Sequence, residues 1–136
     1  MRYIFLIAAG FASACSTLAI VPVDYSFNDA AGQGGLELRY RNSSSRLMCL
    51  STGHWPNEAG KFNQASDLVF LVIDGKRYPI EDFNTGYCIG GCPTYVEPGE
   101  EVKAFVPYRD FGLPEALIDK PKTLEFSPRA YACKRK

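Results

Sequence analysis

The stretch DLVFLVIDGKRYPI, residues 67–80, carries the clearest structural signal in this chain. A continuously apolar segment over residues 68–73 precedes Asp74 and Gly75, and a second strand-like segment, KRYPI, follows over residues 76–80. An Asp-Gly pair between two such runs favours a type I′ hairpin, because both central residues of that turn need positive φ. The stretch therefore predicts two antiparallel strands joined by a two-residue turn.

Outward from this hairpin, apolar side chains recur at every second position. In VPVDYSF (residues 21–27) this alternation places four side chains on one face, namely Val21, Val23, Tyr25 and Phe27. In LELRY (residues 36–40) it does the same for Leu36, Leu38 and Tyr40. Further strands are predicted within residues 102–106, 122–128 and 130–134. A period of two is typical of half-buried strands, so most of the chain is predicted to be β-structure.

The strand count and the Gly and Pro turns between the strands indicate the fold class. We expect an all-β protein, an antiparallel immunoglobulin-like β-sandwich of about seven or eight short strands, stapled by disulfides. Helical signal is confined to PNEAGKFNQASD (56–67) and PEALIDK (114–120), each long enough for a turn or two. The chain has 136 residues, which fits one domain. Residues 15–136 are therefore predicted to form a single β-sandwich domain.

The first residues, MRYIFLIAAGFASAC, have the pattern of a secretory signal peptide. Arg2 precedes an apolar run over residues 3–11, and small residues follow with A-x-A spacing. The apolar run is too short to span a bilayer, which requires about 20 such residues. We therefore predict a signal peptide over residues 1–14 and an exported protein.

The tetrapeptide ASAC, residues 12–15, resembles the lipobox of bacterial lipoproteins, in which the cysteine is lipidated and becomes the mature N-terminus. Ala12 stands where leucine is most common in that motif. The resemblance implies lipidation of Cys15 and a periplasmic or outer-membrane lipoprotein; otherwise the protein is secreted. Ordinary cleavage before Cys15 and cleavage after Ala19 are the alternatives.

A second resemblance is architectural. The segments LELRYRNSSSRLMCL (36–50) and EPGEEVKAFV (97–106) resemble parts of the small sandwich modules that are common among bacterial envelope proteins. It implies a fold and carries no functional residues.

Four cysteines remain after Cys15, and an even number in an oxidising compartment predicts two disulfides. The favoured pairing joins Cys88 to Cys92, where two glycines allow the chain to reverse, and joins Cys49 to Cys133. Pairing of Cys49 with Cys88 or Cys92 stays open. Three residues separate the close pair, whereas thioredoxin-type pairs have two, and no second close pair of zinc ligands exists. We therefore predict no metal and no cofactor.

The sequence offers few parts for catalysis. His54 is the single histidine, and neither a G-x-S-x-G elbow nor an HExxH motif occurs. The carboxylates of Glu81 and Asp82, and those around the Pro98-Gly99 turn, are interpreted as solvated surface charges. Fifteen basic residues balance fifteen acidic ones, so nothing favours nucleic acid, whose binders need a clustered positive surface.

Three loops rich in aromatic residues and proline are the candidate binding surface. They are GHWPN (53–57), TGYCIGGCPTY (85–95) and VPYRDFGLP (106–114). Tyr, Trp and Arg dominate binding hot spots, because they give large contact areas at a low entropic cost. The candidate residues are His54, Trp55, Tyr87, Tyr95, Tyr108, Arg109 and Phe111. The alternative is that Trp55 and several tyrosines close the ends of the core.

Together these features predict a non-catalytic exported envelope protein that binds another macromolecule. An inhibitor or immunity protein against a hydrolase is one version, and an accessory or assembly subunit is the other. The expected partner is a protein of the cell envelope, with membrane contact only through a lipid anchor at Cys15. The alternative function is a small secreted enzyme, either a carboxylate-based hydrolase or a thiol oxidoreductase.

Overall fold

The computed structural model of the chain describes residues 20–62, 69–83 and 93–135. The predicted signal peptide, Cys15, Tyr87 and the Cys88–Cys92 pair lie outside these residues. Within the described ranges the chain is all-β, apart from three short 3₁₀ helices at Ala31–Gln33, Tyr108–Phe111 and Glu115–Leu117. No helix in these ranges is long and apolar enough to cross a membrane.

The described strands form three antiparallel sheets. The strands are β1 (Ile20–Pro22), β2 (Tyr25–Ala30), β3 (Gly35–Arg41), β4 (Met48–Leu50), β5 (Val69–Ile73), β6 (Lys76–Pro79), β7 (Thr94–Val96), β8 (Glu101–Pro107), β9 (Thr123–Phe126) and β10 (Arg129–Ala132). Sheet A has the order β1-β10-β4-β7, sheet B the order β2-β3-β8, and sheet C the order β6-β5-β9. The all-β antiparallel prediction is confirmed. An immunoglobulin-like sandwich has two packed sheets, whereas the described strands form three sheets, so that architecture is not confirmed.

The Asp-Gly hairpin forms as predicted, between β5 and β6. Asp74 has φ of 51° and Gly75 has φ of 77°, the positive values that a type I′ turn requires. Burial alternates along β5, where Val69, Leu71 and Ile73 face the core. Phe70 points the other way and lies under the guanidinium of Arg77, 3.8 Å from its ring centroid. The continuously apolar run is therefore a strand with one buried face.

The predicted strand over residues 21–27 is wrong at its first residue. The strand is interrupted at Val23 and Asp24. As a result, β1 pairs with β10 in sheet A, whereas β2 pairs with β3 in sheet B. The Val23 N–H donates to the Pro128 carbonyl (N···O 3.1 Å), and its side chain is buried. Val21 lies before this interruption and is 40% exposed. It belongs to sheet A, whereas Tyr25 and Phe27 belong to sheet B, so the alternation does not extend to Val21.

All three sheets contribute to one hydrophobic cluster. On β3 the predicted alternation holds, with Leu36, Leu38 and Tyr40 buried. Sheet C adds Leu71 and sheet A adds Leu50, both fully buried. Burying an aliphatic side chain of this size stabilises the fold by roughly 1.5–3 kcal/mol. The sheets are thus joined through their apolar faces.

A disulfide joins Cys49 in β4 to Cys133, which follows β10, with 5.9 Å between the Cα atoms. This is the long-range pair that the sequence favours. β4 and β10 are neighbours in sheet A, and the Cys133 N–H also donates to the Leu47 carbonyl (N···O 3.2 Å). The bridge spans 84 positions and fixes the last strand against an early one.

Candidate functional site

Three of the predicted binding residues are part of the core instead. Trp55, Tyr108 and Phe111 are only 1%, 2% and 1% exposed. The Trp55 ring packs edge-on against Tyr40, with 6.3 Å between the ring centroids. Large aromatic side chains gain most from such burial, so these residues close the core, and their assignment to a binding surface is corrected.

Tyr108 is buried with its hydroxyl satisfied, which explains why it does not face solvent. The hydroxyl donates to the Asp29 carboxylate, and Lys122 Nζ lies 3.1 Å from the other oxygen of that carboxylate. The Lys122 side chain is fully buried, and its Nζ lies 4.6 Å from the Tyr108 ring centroid. Burial, and then the hydrogen bond and charge of Asp29, raise the pKa of Tyr108. Tyr108 is therefore a protonated, structural residue.

The other described candidates remain at the surface to different degrees. Tyr95 on β7 is 36% exposed, and the side chain of Arg109 is 81% exposed. His54 is half-buried, and its Nδ1 is buried without a hydrogen-bond partner in the part of the chain that the structure describes. Burial, followed by the charge of Arg129, lowers the pKa of His54. The imidazole is thus neutral near pH 7.

Tyr95 borders a groove of about 630 Å³, which we call the β7 groove. One wall is formed by Thr52 and by residues 57–59, in the loop that follows β4. The other wall is formed by residues 93–95 at the start of β7. β7 is an edge strand of sheet A among the described strands, so the groove runs along a sheet edge.

The loop wall is held by a network around Asn57. Its side-chain Oδ1 accepts from the N–H groups of Ala59 (2.9 Å) and Lys61 (3.0 Å). Its own N–H donates to the Lys61 carbonyl at 2.9 Å. Gly60 has φ of 74°, and a Cβ there would lie 2.1 Å from the Phe105 carbonyl oxygen. Only glycine fits that approach, so the loop packs closely against β8 at this point.

Lys61 then ties this wall to the body of the protein, in an arrangement that we call the Lys61 clamp. Its Nζ lies 2.8 Å from Asp110 Oδ1 and 2.5 Å from Asp82 Oδ2. Asp110 is fully buried, and its carbonyl accepts from the N–H groups of Glu81 (2.6 Å) and Asp82 (3.1 Å). Burial lowers the pKa of Lys61, but hydrogen bonds and charges of both aspartates outweigh burial and raise it overall. Lys61 therefore remains a cation.

The strand wall is stabilised by the disulfide on the neighbouring strand β4. Tyr95 lies opposite Cys49 in the ladder of β4 and β7. Arg135 follows Cys133 by two residues, and its guanidinium lies 5.7 Å from the Tyr95 ring centroid. Arg135 also pairs with Glu97, with 2.9 Å between Nη2 and Oε1. An exposed tyrosine with a cation over its ring thus lies at the groove rim.

Sequence reasoning found Tyr95 and missed most of the residues that build the site. Asn57 and Gly60 carried a usable signal, since Asn and Gly three residues apart favour a turn. Lys61 and Asp110 carried none, because they are 49 positions apart and pair only in space. Among the described residues, no group of three or more His, Cys, Asp or Glu side chains could hold a metal ion.

Comparison of the chain with protein-family models, with curated proteins and with solved structures found no match. In the described part of the chain, the fold and site define its class: an all-β protein of three antiparallel sheets with a groove beside an edge strand. The contacts of that groove are the basis for the function proposed below.

Proposed function

We propose that this chain is a non-catalytic exported envelope protein that binds another protein through the β7 groove. The observation that carries the proposal is the position of Tyr95, which is 36% exposed on an edge strand at the rim of the groove and has the Arg135 guanidinium over its ring. Tyrosine and arginine are the residue types most enriched at binding hot spots.

The contacts that hold both walls support binding over a purely structural role. The loop wall is fixed by Asn57 and the Lys61 clamp, and the strand wall by the Cys49–Cys133 disulfide. A surface that is ordered before its partner arrives loses less conformational entropy on binding. The predicted Cys88–Cys92 staple would stand directly before Pro93 and would add to this order.

Export places the proposed partner in the cell envelope. The signal peptide over residues 1–14 and the lipobox-like ASAC are the basis for this localisation, with Cys15 as the lipid anchor. An inhibitor or immunity protein against a hydrolase would use the groove to hold a segment of its target. An accessory subunit would use it to hold a segment of its assembly.

We further propose that sheets A and B are the two faces of an immunoglobulin-like sandwich, with sheet C as an added layer. The successive strands β1 and β2 pair in different sheets, as expected for a chain that switches between the faces of a sandwich. Both sheets contribute side chains to the same hydrophobic cluster. Strand order is the feature on which a match to that architecture depends.

Affinity capture from an envelope extract tests the binding proposal. The wild-type chain is compared with Tyr95→Ala and with the matched control Tyr78→Ala. Tyr78 also lies on an edge strand, β6, is half-buried, and has a cation above its ring, with Lys76 Nζ 5.0 Å from the centroid. We expect Tyr95→Ala to lower the affinity for the captured protein at least about tenfold, and Tyr78→Ala to leave it unchanged.

Equal loss of capture in the two variants would show that the groove is not the binding surface. A purified chain that turns over a substrate and captures no partner would favour the alternative function, a small secreted enzyme. Circular dichroism of each variant establishes that both variants keep the fold.

A further inference from the structure

The edge strand β1 carries two exposed aliphatic side chains. Ile20 is 62% exposed and Val21 is 40% exposed, although both belong to a strand. Among the described strands, β1 has one neighbour, β10. Successive side chains on a strand point to opposite faces, so these two side chains flank the sheet edge on both sides.

The register of sheet A brings basic residues to the same end of the molecule. Ile20 lies opposite Tyr131, near the end of β10, and that end of β10 pairs with the start of β4. Lys134 follows β10 and Arg46 precedes β4, and both are exposed. Within the described residues neither forms an ion pair, whereas Arg135 nearby pairs with Glu97. We call the surface of Ile20, Val21, Arg46 and Lys134 the Ile20 end.

The sequence limits how far the Ile20 end can lie from a lipid anchor at Cys15. Five residue steps separate Cys15 from Ile20, and a chain spans at most about 3.4 Å per step. A lipid on Cys15 would therefore keep Ile20 within roughly 17 Å of the bilayer surface. The exposed aliphatic residues and the unpaired cations lie at the end of the protein that such an anchor would hold nearest the membrane.

We propose that the Ile20 end is a membrane-contacting surface that fits an anionic bilayer. Ile20 and Val21 contact the boundary between headgroups and acyl chains, and Arg46 and Lys134 pair with lipid phosphates. An acyl chain combined with basic residues is a recognised form of two-signal membrane attachment. The inference rests on the proposed export and lipidation of the chain, and it is independent of the β7 groove.

A second copy of the chain is a poorer occupant of this edge. β1 has three residues, and Pro22 lacks an N–H, so an added strand would gain few ladder hydrogen bonds. An added strand would also leave Ile20 and Val21 uncovered, because both side chains point away from the plane of the sheet. A bilayer covers both aliphatic side chains and neutralises both cations.

Vesicle co-sedimentation tests the surface without the anchor. The exported, leader-processed chain carries Cys15→Ser, and its intact mass confirms that no acyl chain is attached. Vesicles of phosphatidylglycerol and phosphatidylethanolamine are compared with vesicles of phosphatidylcholine at low salt. We expect binding to the anionic vesicles that weakens as salt is added, and little binding to the neutral ones.

Two paired variants identify the residues. Arg46→Gln with Lys134→Gln should lower the partition onto anionic vesicles about 25-fold, since each cation contributes a factor of about five. The matched control Lys76→Gln with Lys120→Gln removes two exposed cations at the hairpin of sheet C and should leave the partition within about twofold of the parent. Ile20→Ser with Val21→Ser should lower binding to the anionic vesicles with the cations intact.

Absence of binding to anionic vesicles at low salt overturns the proposal, and so does equal weakening by the control pair. If Ile20→Ser changes self-association in sedimentation velocity and leaves vesicle binding intact, the edge serves a second copy and the proposal is wrong. The intact mass of the native chain reports lipidation of Cys15 separately. Failure of the anchor is thereby distinguished from failure of the surface.

Discussion

Sheets A and C are assembled in opposite ways. In sheet C, β5 and β6 follow each other through a two-residue turn, so half of its pairing is local. Sheet A takes strands of three or four residues from four separate parts of the chain, at positions 20–22, 48–50, 94–96 and 129–132. Closing long loops costs conformational entropy, and the few hydrogen bonds of such short ladders offset little of that cost. Sheet A therefore depends on cross-links that lie outside its hydrogen-bond ladders.

Two cross-links meet this need, and the β7 groove depends on both. The Cys49–Cys133 disulfide links the two central strands of sheet A, and its Cys49 lies opposite Tyr95 in the ladder of β4 and β7. The Lys61 clamp fixes the loop that leaves β4 and leads toward sheet C. The hairpin of sheet C needs neither. The comparison shows that the proposed binding surface lies on the part of the fold that local sequence supports least.

Removal of the disulfide should have the largest effect on this contrast. We expect Cys49→Ala with Cys133→Ala to lower the free energy of unfolding by about 4–5 kcal/mol, because the bridge closes a loop of more than eighty residues. Urea denaturation measures the loss. Hydrogen exchange should show faster opening in β4, β7 and β10 than in β5 and β6. Uniform loss of protection in both sheets would show that the disulfide does not stabilise sheet A more than sheet C.

Breaking the Lys61 clamp should have the next largest effect. Lys61→Met removes the nearer of the two cations beside the fully buried Asp110 carboxylate and leaves the largely exposed Arg109, whose Nε lies 3.8 Å from Asp110 Oδ1. We expect this loss to lower the free energy of unfolding by about 3 kcal/mol. Adding Asp110→Asn removes the buried charge and should recover most of that loss in the same denaturation measurement.

The matched control for the clamp is Lys120→Met. Lys120 pairs with Asp74, but both side chains are largely exposed, so water replaces the lost contact and stability should hardly change. Equal destabilisation by Lys61→Met and Lys120→Met would show that burial of Asp110 does not decide the strength of the clamp.

Gly75→Ala should have the smallest effect, confined to sheet C. Its φ of 77° is unfavourable for alanine, whereas an added Cβ meets no atom within 4 Å. The cost is therefore backbone strain alone, about 1–2 kcal/mol. Gly32→Ala is the control, since Gly32 has open space around it and no positive φ, and it should leave the melting temperature unchanged. Faster exchange in sheet A from Gly75→Ala would mean that the sheets are not independent.

The same contrast explains what could be predicted from the sequence. The hairpin of β5 and β6 and the alternation of Leu36, Leu38 and Tyr40 depend on neighbours in the chain, and both predictions are confirmed. Val21 was placed on the wrong face because the break at Val23 is fixed by Pro128, a partner 105 positions away. Local alternation carries no information about such a partner.

The candidate site follows the same rule. Tyr95 was identified from its residue type and loop context, but the same reasoning also selected Trp55 and Phe111, which the fold buries. Residue type cannot separate a hot spot from a core residue, because burial depends on contacts between distant segments. The pairing of Lys61 with Asp110 has the same origin, and no spacing in the sequence indicates it.

The bridge between Cys49 and Cys133 also sets how the chain responds to proteolysis. Any single backbone cut between residues 50 and 132 lies inside the loop that this disulfide closes. The two products would stay covalently joined and would migrate as one species on a gel until a reductant is added. The chain would thus keep its last strand attached after a protease has cut one of its long loops.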